Sequence, residues 1–352
     1  MTFRLSVLDQ SPIPEGSSGA DALRNTIDLA NLADEIGYHR YWIAEHHGTP
    51  GLASASPEAL IGPVAAATER IRVGSGGVML PHYSPIKVAE TFSALSGLFP
   101  GRIDLGFGRA PGTDPMTTFA LQRDRRDASP DDFPEQMAEL LGYLNGELPP
   151  NHPFARLSAT LPGLPERPVP WLLGSSAQSG VWAAQFGLRY AFADFINAGG
   201  AEIGRQYREE FVEAAGGEVS EPVLSVATWA VCAETEEEAQ RLASSSRMMM
   251  RMLAEGRLIP VPPVETALRF LAARPAPAGS RERSRRAIIG DPEQVRAGLE
   301  SVAREYGADE LMVVTITHDH QARRRSYELI AAVFEAAGGS PAGGGDGLVA
   351  RR

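Results

Sequence analysis

Short runs rich in Val, Ile, Leu and aromatic residues alternate along the chain with longer stretches in which apolar residues recur at helical spacing. That alternation predicts parallel strands joined by crossover helices. In the first unit, Arg4 to Leu8 reads as a buried strand stopped by Asp9-Gln10-Ser11-Pro12. Leu29, Leu32, Ala33 and Ile36 then share one helical face until Gly37 ends the helix. Further strands are predicted at Arg40 to Ala44, Ile71 to Leu80, Ile103 to Gly108, Val169 to Gly174, Leu188 to Phe192, Val223 to Ala233 and Glu310 to Thr315. Helices are predicted near 57–69, 85–98, 131–145, 177–186, 200–215, 235–255, 291–306 and 322–337. Eight strand–helix units predict an α/β fold, a (β/α)8 TIM barrel over residues 1–337 with insertions.

The helix near 291–306 carries the fullest local signals. Asp291 suits its N-cap and Pro292 its first turn, Val295, Leu299 and Val302 form one apolar stripe, and Gly307 follows. Two segments break the repeat. Residues 146–168 hold prolines at 149, 150, 153, 162, 165 and 168, which predicts an extended loop or short hairpin before the fifth strand. Residues 256–289 combine Pro260, Pro262, Pro263, Pro275 and Pro277 with a basic cluster from Arg281 to Arg286. This predicts a long, mobile connection of the kind that covers an active site. The tail 338–352, rich in Gly and Ala, is expected to be disordered.

Composition narrows the class. With 43% hydrophobic and 22% charged residues, the 352-residue chain is globular and able to bury a sizeable core. Lys and Arg number 33 against 44 Asp and Glu, a net charge of −11, which argues against a nucleic-acid partner because phosphate binding needs a basic face. No apolar run approaches the roughly 20 residues that span a bilayer, and Met1 leads directly into strand-like sequence. A cytoplasmic protein without membrane association is expected. Cys232, the single cysteine, cannot form an internal disulfide and reads as buried.

In such a barrel the C-terminal ends of the strands gather around one mouth, so candidate chemistry is sought there. Glu45-His46-His47 fits an acid–base pair, a metal site or a structural hydrogen-bonding corner. Adjacent strand residues face opposite ways, which counts against both histidines on one ion, and no metal is predicted. His318 and His320 have the alternation of two ligands on one side, against the plainer reading of a solvated loop. Ser175, Ser176 and Ser179 stand where a strand hands over to a helix, the place for an anion site or an ordinary N-cap. Arg109 ends the preceding strand and can reach the same anion from the side, so together they read as a phosphate clamp. Gly74-Ser75-Gly76-Gly77 inside an apolar strand marks either a bulge under a flat ligand or a bend in the barrel wall. Phe3, Met79, Tyr83, Phe107 and Trp229 are candidates for an apolar pocket or for core packing.

Four stretches share one order and spacing: Tyr41-Trp42-Ile43-Ala44-Glu45-His46-His47, Val73 to Pro81, Gly101 to Arg109, and Ser175-Ser176-Ala177-Gln178-Ser179 through Gln185. In them the sequence resembles the bacterial luciferase family of flavin-dependent monooxygenases, in its single-gene alkanal-monooxygenase-like branch. The resemblance implies a barrel that binds reduced FMN (FMNH2), forms a flavin C4a-hydroperoxide with O2, and transfers one oxygen atom to an organic substrate. It also implies that Arg109, Ser175, Ser176 and Ser179 hold the FMN phosphate, and that Gly76-Gly77 form a non-prolyl cis peptide supporting the isoalloxazine. His46 matches the family's catalytic histidine, which would stabilise the peroxyflavin or act as a base, since an imidazole exchanges protons near neutral pH.

Gly108 stands where light-emitting members carry a reactive cysteine, so thiol chemistry beside the flavin is not expected. The branch includes tailoring oxygenases of aromatic polyketide pathways, which makes antibiotic biosynthesis one expected setting. Family members commonly receive FMNH2 from a separate NAD(P)H:flavin reductase. In agreement, the glycines at 74–77 are spaced wrongly for a dinucleotide-binding GxGxxG. The family also pairs through early barrel helices, implying a homodimer through 57–69 and 85–98, where Ala65, Ala66 and Ala67 permit close approach. Rival readings are an F420-dependent hydride-transfer oxidoreductase on the same barrel, a non-catalytic flavin-binding protein and a metal hydrolase. Hydroxylation, epoxidation and Baeyer–Villiger insertion all remain open, because the oxygen chemistry belongs to the cofactor.

Overall fold

The computed structural model describes residues 3–109, 114–121, 132–213, 219–274 and 287–336. The tail expected at 338–352 and the basic cluster Arg281 to Arg286 lie outside the described residues. The strands are β1 (Arg4–Asp9), β2 (Arg40–Ile43), β3 (Arg72–Met79), β4 (Ile103–Gly108), β5 (Val169–Gly174), β6 (Arg189–Ala193), β7 (Leu224–Cys232), β8 (Ala287–Gly290) and β9 (Glu310–Val314). β1 to β7 pair in sequence order, and β9 fits between β7 and β1 to close the ring, every pairing parallel. The predicted (β/α)8 barrel is therefore observed, with β9 as its eighth strand.

β8 is a strand that the sequence pattern does not announce. It lies outside the ring and pairs with the upper half of β7, Trp229 to Cys232 against Ala287 to Gly290. The stretch 256–289 is thus not one long mobile connection. Val261 is pinned to the loop after β1, its N–H donating to the Ile13 carbonyl and its carbonyl accepting from Glu15 N–H, both at 2.8 Å. A helix over Val264–Ala273 follows. The 146–168 excursion is a loop wound into a 3-10 turn at Ala155–Thr160, without a hairpin, and its Gly163 N–H donates to Ser93 Oγ.

Helices Gly19–Glu35, Pro57–Ala67, Pro85–Leu98, Phe133–Asn145, Ala177–Gln185, Pro292–Tyr306 and His320–Glu335 stand near their predicted places. The capping reading at Asp291 holds: its side chain accepts from Gln294 N–H, and Gly307 takes the left-handed C-cap conformation at φ 59°. Two bounds differ. The helix predicted over 200–215 spans Ala201–Glu209, because Val212 N–H is taken by the Ala184 carbonyl of the neighbouring helix. The helix predicted over 235–255 is two, Glu236–Leu242 and Ser244–Ala254. Ser244 Oγ donates to the Arg241 carbonyl and Ser246 Oγ to that of Ala243, and such hydroxyls compete for the carbonyls a continuous helix would use.

The core has two layers. Outward-facing residues such as Val7, Tyr41, Val73 and Leu105 pack against Leu29, Ile61, Phe92, Leu299 and Ile330 of the helices. Cys232 is buried, as its apolar run predicts. Inside the ring the layers differ sharply. At the bottom, Arg40 of β2 pairs with Glu310 of β9 and Asp104 of β4, each at 2.9 Å, while Arg72 bonds Asp104 at 2.6 Å. Above them Trp42 and Trp171 meet edge to face, centroids 5.3 Å apart, and Trp42 Nε1 donates to Asp104.

This plug makes stability pH-dependent. Burial pushes the Asp104 carboxyl up, and the guanidinium groups of Arg72 and Arg40 more than offset it, holding the pKa down at about 2. Its contribution is complete above about pH 4 and is lost as pH falls towards 2. Asp104→Asn is expected to flatten the acid limb of a stability–pH curve measured by urea denaturation. Glu310→Ala, which strips Arg40 of one buried partner, is expected to destabilise the protein by about 3–5 kcal/mol in the same assay.

Candidate active site

A cavity of about 470 Å³ opens at the C-terminal mouth of the barrel. Its existence follows from residue size: above the two tryptophans the inward positions are Ala44, Gly76, Gly108, Ala191, Ala193 and Ala227, which leave room that larger side chains would fill. The Gly76–Gly77 peptide is cis, and the β3–β4 register shifts between Ser75 and Val78, so the glycine run forms a bulge. A Cβ at Gly77 would stand 2.7 Å from the Gly106 carbonyl oxygen, and one at Gly76 would stand 2.5 Å from Leu8 Cδ1. Both positions line the cavity, presenting bare backbone to it.

Glu45, His46 and His47 part company at the end of β2. Glu45 is buried and accepts from Met79 N–H at 2.9 Å and Tyr83 OH at 2.8 Å, with His47 Nε2 at 2.7 Å. It ties β2 to the strand beyond the bulge, which is the structural-corner reading of this motif. His46 faces the cavity, anchored by its N–H to the Ser54 carbonyl, and its Nδ1 is buried without a hydrogen-bond partner. Burial, helped by the neighbouring His47, lowers its pKa to about 4. The expectation that this imidazole titrates near neutral pH is therefore corrected: His46 is a neutral donor and acceptor there.

The predicted anion site is brought together at the β5 side. Ser175 and Ser176 line the cavity at the start of helix Ala177–Gln185, and Arg109 joins them with its guanidinium 5.2 Å from the Trp182 ring centroid. Ser179 is different in kind. Its hydroxyl donates to the Ser176 carbonyl at 2.7 Å and meets Tyr190 OH at 2.8 Å, completing a capping box with Ser176. It braces the helix start rather than offering a free hydroxyl.

Other candidates disperse. Met79 lines the cavity, whereas Phe107 packs between barrel and helices, Trp229 sits inside the ring, Phe3 packs on Phe334 and Tyr83 serves Glu45. His318 meets the Glu15 carbonyl and His320 meets Asp28, so the pair does not converge. Among the described residues no group of three or more His, Cys, Asp or Glu could hold a metal ion. Sequence reasoning missed Gln10, Trp182, Phe195, Ile196 and Met312 as lining residues. For Gln10 the signal was its place just past β1, one alternation beyond inward-facing Leu8.

The sequence signature of luciferase-like monooxygenases matches residues 1–310. The chain is 41% identical over 335 residues to a luciferase-like monooxygenase of Escherichia coli K12, covering 95% of this chain and 98% of that one. It is 38% identical over 328 residues to the N-acetyl-S-alkylcysteine monooxygenase of Bacillus subtilis, with coverages of 93% and 97%. The crystal structure of apo-MsnO8 superposes with a TM-score of 0.86 at 40% identity, over 95% of this chain and 98% of its own. At 19% identity and TM-score 0.69, over 94% and 97% of the two chains, the fold is shared with the oxygenating constituent of the Pseudomonas putida 3,6-diketocamphane monooxygenase, solved with FMN.

Two expectations follow from the geometry. An NMR titration of His46 should give a midpoint at about 4; the unfolded chain takes up this proton near pH 6.5, so the residue's share of stability is lost as pH falls from about 6.5 towards 4. Gly77→Ala, which forces β3 away from the Gly106 carbonyl, should lower stability by about 1–3 kcal/mol in thermal unfolding.

Proposed function

The chain belongs to the luciferase-like monooxygenase family, and from that premise we propose that it is an FMNH2-dependent monooxygenase that places one atom of O2 on an organic acceptor. The observation that carries this reading is the line-up within one cavity of an anion site on β5, a bulge free of side chains on β3 and a neutral, unpartnered imidazole after β2. The residues fit the cofactor. The helix start with Ser175 and Ser176, flanked by Arg109, suits a singly phosphorylated tail, and Ser179 keeps that helix start in shape. The bare backbone of Gly76 and Gly77 admits a flat ring to within contact distance. Bound reduced flavin supplies the two electrons with which O2 is split between acceptor and water.

The protein's own contribution is positioning and proton control. Stacking on Trp182 holds the Arg109 guanidinium towards the anion site. His46, kept neutral by burial, offers one donor and one acceptor nitrogen at the cavity wall, and a proton it accepts is readily passed on because burial disfavours the imidazolium. The apolar lining keeps water from the reacting centre. In this reading FMNH2 arrives from a separate NAD(P)H:flavin reductase, the protein works in the cytoplasm, and an aromatic polyketide intermediate is an acceptor whose rings suit the apolar wall. Two copies pair through helices Pro57–Ala67 and Pro85–Leu98. Ala66, Ala67 and Leu98 are exposed there, whereas Ala65 is buried and contributes nothing to the contact.

Fluorescence titration should show FMN binding that Arg109→Ala weakens about tenfold to a hundredfold, the range of a charge-assisted hydrogen bond. With reduced FMN and labelled O2, one labelled oxygen atom should appear in the acceptor product. His46→Ala should cut product formation by at least about a hundredfold while sparing FMN affinity. Turnover under strict anaerobiosis would overturn the oxygenase reading in favour of hydride transfer.

A further inference from the structure

The wall opposite the anion site has its own chemistry. In the ring of eight strands β1 stands four places from β5, so residues on β1 and its neighbour β9 face the Ser175 side across the mouth. That wall carries Leu8 of β1 and Met312 of β9, with Gln10 just past β1 beside them. Phe195 and Ile196, in the loop after β6, line the cavity on the side of β5. Gln10 is 6% exposed, and its amide makes no hydrogen bond to any described residue. Its neighbours are fully engaged: Asp9 bonds Thr26, Tyr41 and Arg323, and Ser11 bonds Thr26. Gln10 is not among the residues whose side-chain polar atoms are sealed off without a partner, so its amide is left to hydrogen-bond with whatever occupies the cavity that it lines.

Charge is placed elsewhere. Among the described lining residues the ionisable carboxylate is Glu45, already committed to Met79, Tyr83 and His47, and the cation is Arg109 on the β4–β5 side. Among the described residues no cation stands on the Gln10 wall to meet a desolvated carboxylate. An amide, in contrast, both donates and accepts, and so suits a carbonyl, hydroxyl or amide equally.

From this geometry we infer that Gln10 is a specificity-determining residue, and that its amide holds an uncharged hydrogen-bonding group of a largely apolar acceptor. The inference rests on the reading of the cavity as a joint flavin and acceptor site and assigns its second half. Among the described residues that wall offers no cation to a carboxylated acceptor.

Matched probes test it on the full-length protein with FMN at saturation, its binding followed separately by flavin fluorescence. Octanamide and octanoate share a chain and differ in charge, and calorimetric titration at neutral pH compares them. The expected result is octanamide binding more than about tenfold tighter than octanoate. Gln10→Leu is then expected to weaken octanamide about three- to tenfold, the range of one neutral hydrogen bond, with FMN affinity unchanged. Octanoate binding as tightly as octanamide, or neither binding, overturns the inference; this comparison needs no variant and stands even if Gln10→Leu fails to fold. An FMN affinity that falls with Gln10→Leu also overturns it, because Gln10 would then serve the cofactor. Failure of FMN itself to bind overturns the proposed function, an outcome distinguishable from every probe result.

Discussion

A guanidinium cut off from water sets the floor of this barrel. Arg40 enters the interior from β2 and reaches two carboxylates on other strands, Glu310 and Asp104, so one side chain pins β2, β4 and β9 in register. Ion pairs at such depth add little net stability over apolar packing, because desolvation offsets their attraction. Their consequence here is positional. Asp104 also accepts from the Trp42 indole, which lies edge to face on Trp171, and Trp42 forms part of the cavity wall. The geometry of the floor is thereby transmitted to the surface a ligand touches.

A second polar hub works at the mouth. Glu45 binds the backbone of Met79 immediately beyond the glycine bulge, and adds His47 and Tyr83 on the same carboxylate. It holds the bulge at a fixed distance from the end of β2, where His46 stands. With His47 occupied and His46 unpartnered, the two adjacent histidines have separate tasks, one structural and one facing the cavity. The segment around Val261 is pinned to the loop after β1 through Ile13 and Glu15, and Met249 and Val261 join the interior cluster.

The legible part of the fold was the part written in short-range terms. Strand and helix positions, the cap at Asp291 and the burial of Cys232 followed from periodicity and from residues that act on their near neighbours. The four-residue strand β8 was not legible, because a run of that length gains its hydrogen bonds from β7, some 55 to 60 residues earlier in the chain, rather than from any pattern of its own. Likewise the serine-rich stretch at 244–246 reads as continuous helix until the carbonyls its hydroxyls take are seen. The strand-end motifs located the mouth, and Gly76, Gly77, Arg109, Ser175, Ser176 and His46 do gather there.

What the amino-acid sequence determined by itself was the alternation that builds a closed parallel barrel and the residues that arrive at its rim, since both depend on order along the chain. Which of those residues face the cavity, and in what state, was decided by tertiary structure. The protonation of His46 depends on how deeply its ring is buried, the commitment of Ser179 on where Tyr190 stands, and the exposure of the Gln10 amide on the absence of any partner within reach. These are properties of neighbours brought together from distant segments. No local pattern encodes them, because burial and hydrogen-bond satisfaction are set by the space around a group and not by its place in the chain.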